Sequence, residues 1–153
     1  MRTLARLCAG LLLVLLAAIP ARAGDVNQVG HFENGGVAAE IDTYTDGNVV
    51  VAVVALKANG RTLTFAFDRN DWPALERLWS AASRESADKY VSFGSLAETG
   101  TTEKCVIAAA GGPTVRLTVV SPIDGALVFD VPRYMVPDFD AKLRQAASMT
   151  TAS

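Results

Sequence analysis

Hydrophobic and polar side chains alternate in a series of short segments between residues 25 and 131. A period of two is typical of a β-strand with one buried face. Turn signals separate the segments, and two of them, Asp46-Gly47 and Asn59-Gly60, favour two-residue hairpin turns. The pattern therefore predicts eight strands, at 25–33, 37–45, 48–57, 61–68, 89–98, 103–109, 114–120 and 125–131.

The period changes to that of a helix in two places, each directly after four of these strands. In the first place, Asn70 or Asp71 is a suitable N-cap, and Pro73 falls in the first turn, where its missing N–H costs nothing. The apolar stripe of this helix consists of Trp72, Leu75, Leu78, Trp79 and Ala82. The stripe of the second helix consists of Val136, Phe139, Leu143 and Ala146. We expect both stripes to be buried against the sheets.

The two halves of this pattern form a sequence repeat. Much of the segment 63–83 returns sixty-four positions later, with Leu127 and Phe129 in place of Leu63 and Phe65. The same offset pairs Gly30 with Gly94, Gly36 with Gly100 and Gly47 with Gly111. A fixed-offset repeat determines architecture. The predicted fold class is α+β, with two pseudo-repeats of four meandering antiparallel strands followed by one helix, and with the helices packed on the sheets.

This order of elements, four strands and a helix occurring twice, resembles the Whirly and PUR-type folds of single-stranded nucleic-acid binders. The resemblance concerns topology and covers nearly all of the chain after residue 23. It implies the fold. Because the sequence carries no basic or stacking motif of those families, the resemblance transfers none of their binding residues.

Strand phase predicts which side of each sheet the helices cover. A constant offset places Val53 on the helix side, since it aligns with Leu117. The opposite face of the first half then carries an apolar patch made of Val50, Ala52, Val54 and Leu56. The same face of the second half carries Thr114, Arg116 and Thr118. We expect the second face to be solvated, and the apolar patch to be covered by a loop, by the other half or by a second molecule.

Residues 1–23 have the pattern of a secretory signal peptide. Arg2 and Arg6 precede a short apolar run at 7–19, and small residues stand at Ala21 and Ala23 before the expected cleavage site. We expect an exported protein, periplasmic or secreted, that begins at Gly24 and keeps no membrane anchor. The predicted domain organisation is a signal peptide at 1–23, one globular domain at 24–148 built from repeats at about 25–86 and 89–148, and a flexible tail at 149–153.

Removal of the signal peptide changes the charge and the cysteine count. The full chain has 14 basic and 16 acidic residues, and loss of three arginines leaves 11 against 16, a net charge of −5. This balance disfavours nucleic acid as a partner, because affinity for phosphate depends on Lys and Arg. Only Cys105 remains, so an internal disulfide is excluded. Cys105 aligns with Ile41, which predicts a buried and unreactive thiol.

Candidate catalytic and metal-binding residues are few. His31 is the single histidine and has no second His or Cys at metal-ligand spacing, so we predict no metal and no cofactor. No serine lies in a G-x-S-x-G motif. Glu40 and Asp42 alternate on one strand face beside Tyr44, at a separation of about 7 Å that glycoside hydrolases can use.

Two functions remain open from the sequence. The first is an exported, non-catalytic cell-envelope protein of the inhibitor, immunity or accessory type, which binds another protein or a second copy of itself through a sheet face or edge. The alternative is a small hydrolase that uses Glu40 and Asp42. The candidate binding residues are Glu40, Asp42, Tyr44, Val50, Ala52, Val54, Leu56 and Arg116.

Overall fold

The computed structural model describes residues 24–86, 88–98, 101–112 and 114–152, so the predicted signal peptide lies outside the described residues. The first half consists of β1 (Asp25–Asn34), β2 (Val37–Asp46), β3 (Val49–Ala58), β4 (Arg61–Phe67) and α1 (Trp72–Arg84). The second half consists of β5 (Tyr90–Ala97), β6 (Lys104–Ala110), β7 (Thr114–Ser121), β8 (Gly125–Pro132) and α2 (Val136–Met149).

Each half forms one four-stranded antiparallel sheet, in the order β1-β2-β3-β4 or β5-β6-β7-β8, followed by its helix. The predicted α+β class with two repeated units is therefore confirmed. The Asn59-Gly60 turn has positive φ at both residues, 51° and 73°, as a two-residue hairpin turn of this hand requires. Local turn chemistry thus sets the ends of β3 and β4.

The helices are exchanged between the halves. α1 packs on β5, β6 and β7, whereas α2 packs on β1, β2 and β3. The contact repeats at equivalent glycines, each beside a β-bulge. A Cβ on Gly30 would lie 3.0 Å from the Lys142 side chain, and a Cβ on Gly94 would lie 3.2 Å from that of Leu78. The exchange makes the two repeats one structural unit, because each sheet is covered by the other repeat's helix.

A single main core joins both halves. At its centre Phe139 of α2 contacts three aromatic rings, with centroid distances of 4.8 Å to Phe32, 5.0 Å to Trp79 and 6.0 Å to Phe129. These rings belong to β1, α1 and β8 respectively. Most of the predicted helix stripes are buried here, with Leu75, Trp79, Ala82, Phe139, Leu143 and Ala146 each at most 2% exposed. Trp72 and Leu78 of the first stripe are only partly buried against this core.

The predicted outward patch on β3 was assigned to the wrong face. Val54 lies opposite Phe65, Leu56 opposite Leu63 and Ala52 opposite Phe67 in the β3–β4 register. Ala52, Val54 and Leu56 are therefore buried in the main core. Val50 is half-buried at the end of the same row. Ala52, Val54 and Leu56 are thus covered within the chain, on the side where α2 of the other half packs, which is one of the coverings expected from the sequence.

Unequal turn lengths explain this error. The β3–β4 turn has two residues between its last paired positions, whereas the β7–β8 turn has three, Pro122, Ile123 and Asp124. Val54 is consequently the structural equivalent of Leu117, which lies sixty-three residues later, not sixty-four. An odd shift moves every side chain of a strand to the other face.

Val53, predicted to face the helices, lies on the other side of the first sheet. With Tyr44, Val51 and Ala66 it forms a smaller buried cluster, separate from the main core. Val115 and Leu117 of the second half face the core as predicted.

Cys105 is buried in the main core, as predicted. Its structural equivalent is Ala39, an even shift of sixty-six residues, which preserves the face that the alignment with Ile41 had indicated. Burial raises the pKa of the Cys105 thiol to about 12. A thiol with this pKa stays protonated near neutral pH, and the protonated form is a poor nucleophile.

The carboxyl-terminal residues belong to the folded unit. Thr150 is fully buried. Thr151 donates its backbone N–H to the Val50 carbonyl at 3.0 Å, and the Val50 N–H donates to the Thr151 hydroxyl at 3.0 Å. Thr151 thereby pairs with β3 beyond the point where β4 ends. Thr150 and Thr151, which the sequence analysis placed in a flexible tail, are thus held against the folded unit.

Candidate functional site

Glu40 lies in an ion-pair network on the outward face of the first sheet. It accepts a hydrogen bond from the Lys57 ammonium on β3. The His31 Nδ1 on β1 lies 3.6 Å from the same carboxylate, and its Nε2 lies 3.1 Å from Glu33. The negative charge of the Glu40 carboxylate is therefore paired with the Lys57 ammonium, as in a structural cross-strand pair.

Asp42 and Tyr44 continue along β2 from Glu40 on the same face, but in different surroundings. Burial, and secondly the charge of Glu40, raise the pKa of Asp42, and Lys57 and His31 offset this only in part. Tyr44 is buried in the smaller cluster, and its hydroxyl accepts a hydrogen bond from the Gly24 N–H at 3.1 Å. The three predicted residues share a strand face without forming a paired-carboxylate cleft.

An open groove of about 710 Å³ lies nearby, between the tips of the β1–β2 and β3–β4 hairpins. Residues 33–38 and 57–62 line it, including Glu33, Lys57 and Arg61. Neither Glu40 nor Asp42 contributes to this lining. The groove therefore does not place a substrate between the two carboxylates that the hydrolase alternative needs.

The outward face of the second sheet has a different character. Arg116 on β7 makes a bidentate pair with Asp130 on β8, with Nε–Oδ1 at 2.7 Å and Nη2–Oδ2 at 2.8 Å. This hydrogen bonding raises the pKa of Arg116. Tyr90 and Val128, on the same face, are large apolar side chains with exposed fractions of 55% and 38%. We call this surface, formed by Tyr90, Arg116, Thr118, Val128 and Asp130, the second-sheet face.

Of the residues on this face, only Arg116 is among the candidate binding residues predicted from the sequence. The partner of Arg116 was detectable in principle, because Asp130 alternates with the inward-facing Phe129 and Val131. Pairing it with Arg116 requires the register set by the three-residue β7–β8 turn. The exposure of Tyr90 depends on its place in the outermost strand of the sheet, which local pattern does not reveal.

No group of three or more His, Cys, Asp or Glu side chains that could hold a metal ion occurs within the described ranges. None of the helices in that part of the chain is long and apolar enough to cross a membrane. No protein-family model matches the sequence, and no curated protein is significantly similar to it. The function therefore has to be inferred from the geometry of the faces described above.

Proposed function

We propose that this is an exported, non-catalytic protein that binds another protein through the second-sheet face. The observation that carries the proposal is the exposure of Tyr90 and Val128 on the face that holds the Arg116–Asp130 pair. An exposed apolar patch rimmed by polar groups marks a protein interaction site when it is large enough, and Tyr90 and Val128 supply the apolar part of this face.

The composition of the face supports a protein partner. Tyrosine and arginine are over-represented among the residues that dominate binding energy at protein interfaces. Two hydrogen bonds to Asp130 hold the Arg116 guanidinium in one orientation, so less side-chain entropy is lost on binding. The face lies on regular antiparallel strands, whose backbone is already fixed by the sheet.

The surroundings of the acidic residues support a binding role over catalysis. Glu40 is paired with the Lys57 ammonium, and neither Glu40 nor Asp42 lines the groove at the hairpin tips. The export part of the proposal depends on the signal-peptide pattern of residues 1–23. A net charge of −5 for the chain from Gly24 onward agrees with a protein partner over a nucleic acid.

The proposal is tested by affinity capture from the native cell envelope, with residues 24–153 as bait. We expect a partner that wild type recovers and that Tyr90→Ala and Val128→Lys lose. Tyr134→Ala is the matched control, because Tyr134 is also an exposed tyrosine but lies between β8 and α2, away from this face. Unchanged recovery by both face variants would contradict the proposed surface. Intact mass of the exported protein tests the cleavage site, which we expect directly before Gly24.

A further inference from the structure

The two sheets end in four outer strands, β1, β4, β5 and β8, which pair on one side only within the described residues. An outer strand with free backbone groups is a template for another strand, and proteins protect such edges. In two of these strands a side chain from elsewhere in the fold binds a backbone group. The Ala66 N–H of β4 donates to the Glu98 carboxylate at 2.8 Å. The Asp130 carbonyl of β8 accepts from the Asn34 side chain at 2.7 Å, and β8 ends at Pro132.

The other two outer strands, β1 and β5, are equivalent in the repeat but differ in charge. β1 carries Asp25, His31 and Glu33, whereas β5, with the sequence YVSFGSLA, has neither a charged residue nor a proline. At the positions of His31 and Glu33, β5 has Ser95 and Ala97, and both are exposed. Charged side chains on an edge strand oppose strand addition. β5 lacks this protection.

Both strands contain a bulge at the same place, between Gln28 and Gly30 in β1 and between Ser92 and Gly94 in β5. The bulge therefore does not distinguish the two edges. After it, residues 94–97 keep an unbroken register with β6. This regular, uncharged stretch is the part of β5 that can accept another strand.

We propose that two copies of this protein associate through the β5 edge, with their β5 strands antiparallel, so that the two second sheets become one continuous eight-stranded sheet. Such a contact is isologous and closes on itself as a dimer. A second copy suits this edge because residues 94–97, paired antiparallel with themselves, place no like charges opposite each other. The same pairing of β1 strands would place the charged side chain of Glu33 in the interface from each copy, and charged side chains on an edge strand oppose strand addition.

Strand pairing also places the Tyr90 side chains of the two copies on a common outward face, which enlarges the second-sheet face. The association does not depend on the proposed function, because a monomer could still bind a partner through that face. The two proposals therefore fail separately, one in a measurement of mass and the other in affinity capture.

The test is light scattering of purified residues 24–153 over a range of concentrations. We expect wild type to reach twice the mass of one chain. The double variant Ser95→His/Ala97→Glu gives β5 the residues of β1, and we expect it to weaken the dimer by at least about tenfold in dissociation constant, equivalent to about 1.4 kcal/mol. Ala126→Glu is the matched control, because Ala126 is exposed on the outward face of β8, at the opposite side of the sheet. It should leave the dimer intact.

A single-chain mass at every concentration would overturn the proposal, as would a dimer that the double variant Ser95→His/Ala97→Glu leaves as stable as wild type. Near-UV circular dichroism checks that the variants are folded. Hydrogen exchange on wild type gives an independent result that needs no variant. We expect amides of residues 94–97 to become more protected as concentration rises, and protection independent of concentration would also overturn the proposal.

Discussion

Replacing Phe139 by alanine should remove a central aromatic contact between the two repeats. The ring is fully buried and touches Phe32, Trp79 and Phe129, which come from three different elements. A buried phenylalanine-to-alanine change costs about 3–5 kcal/mol through lost transfer energy and a residual cavity. Three aromatic contacts, each worth about 0.5–1.5 kcal/mol beyond buried area, place Phe139→Ala in the upper half of that range. The expected loss is about 4–5 kcal/mol, a large part of the typical stability of about 5–15 kcal/mol for one domain.

Urea unfolding of residues 24–153, followed by far-UV circular dichroism and tryptophan fluorescence, measures this loss. With a slope of about 2 kcal/mol per M, the midpoint should fall by roughly 2 M. Both probes should report one transition, because Phe139 joins the halves. Tyr134→Ala removes an aromatic ring that is 79% exposed and should change stability by no more than about 0.5 kcal/mol. If Phe139→Ala unfolds at the same urea concentration as Tyr134→Ala, the aromatic cluster does not hold the repeats together.

Two further predictions concern Asp42 and the exchanged helices. Burial and Glu40 raise the pKa of Asp42, so the folded chain binds this proton more tightly, and stability is lost as pH rises through the folded-state pKa. At pH 7, Asp42→Asn should therefore have a higher urea midpoint than wild type. Below about pH 4, near the ordinary aspartate pKa, this difference should disappear. The same difference in midpoint at both pH values would disprove that the pKa of Asp42 is raised. The fragments 24–86 and 88–152 should each be unfolded alone and fold when mixed, because each helix covers the other fragment's sheet. A cooperative melting transition of either fragment alone would show that the exchange is dispensable.

The strands and helices of this fold were predictable because their signals are local. Alternation and the Asn59-Gly60 turn define β3 and β4, and Pro73 marks the first turn of α1. The face of β3 was not predictable from a constant repeat offset. The offset of sixty-four residues holds for β1, β4 and the helices. Structurally equivalent residues are sixty-six apart in β2 and β6 and sixty-three apart in β3 and β7. Only the odd change, in β3, reverses the inward and outward residues.

The exchange of helices could not be read from the sequence because the two repeats are alike. Each helix has an apolar stripe that fits either sheet, and each first strand has a glycine where a helix crosses closely. Gly30 accommodates Lys142, and Gly94 accommodates Leu78, at matching positions of the two halves. Periodicity indicates that a helix packs on a sheet. Which sheet it covers depends on the path of the chain between the halves.

The same differences between the repeats explain why the centre of one outward face is buried and that of the other is partly exposed. The β2–β3 hairpin continues for three more residue pairs than the β6–β7 hairpin, and this extension supplies Tyr44 and Val51 to the smaller cluster.

At the centre of the first sheet, Val53 lies opposite Ala66, and both are nearly fully buried. The structurally equivalent positions in the second sheet hold Arg116 and Asp130, whose side chains remain 36% and 35% exposed. The second sheet thus has a charged pair where the first sheet has a buried apolar pair. The free-energy cost of desolvating such a charged pair is small only where water or a polar partner contacts it. For this reason the surface that we propose for binding is the second-sheet face, where the charged pair shares its face with Tyr90 and Val128.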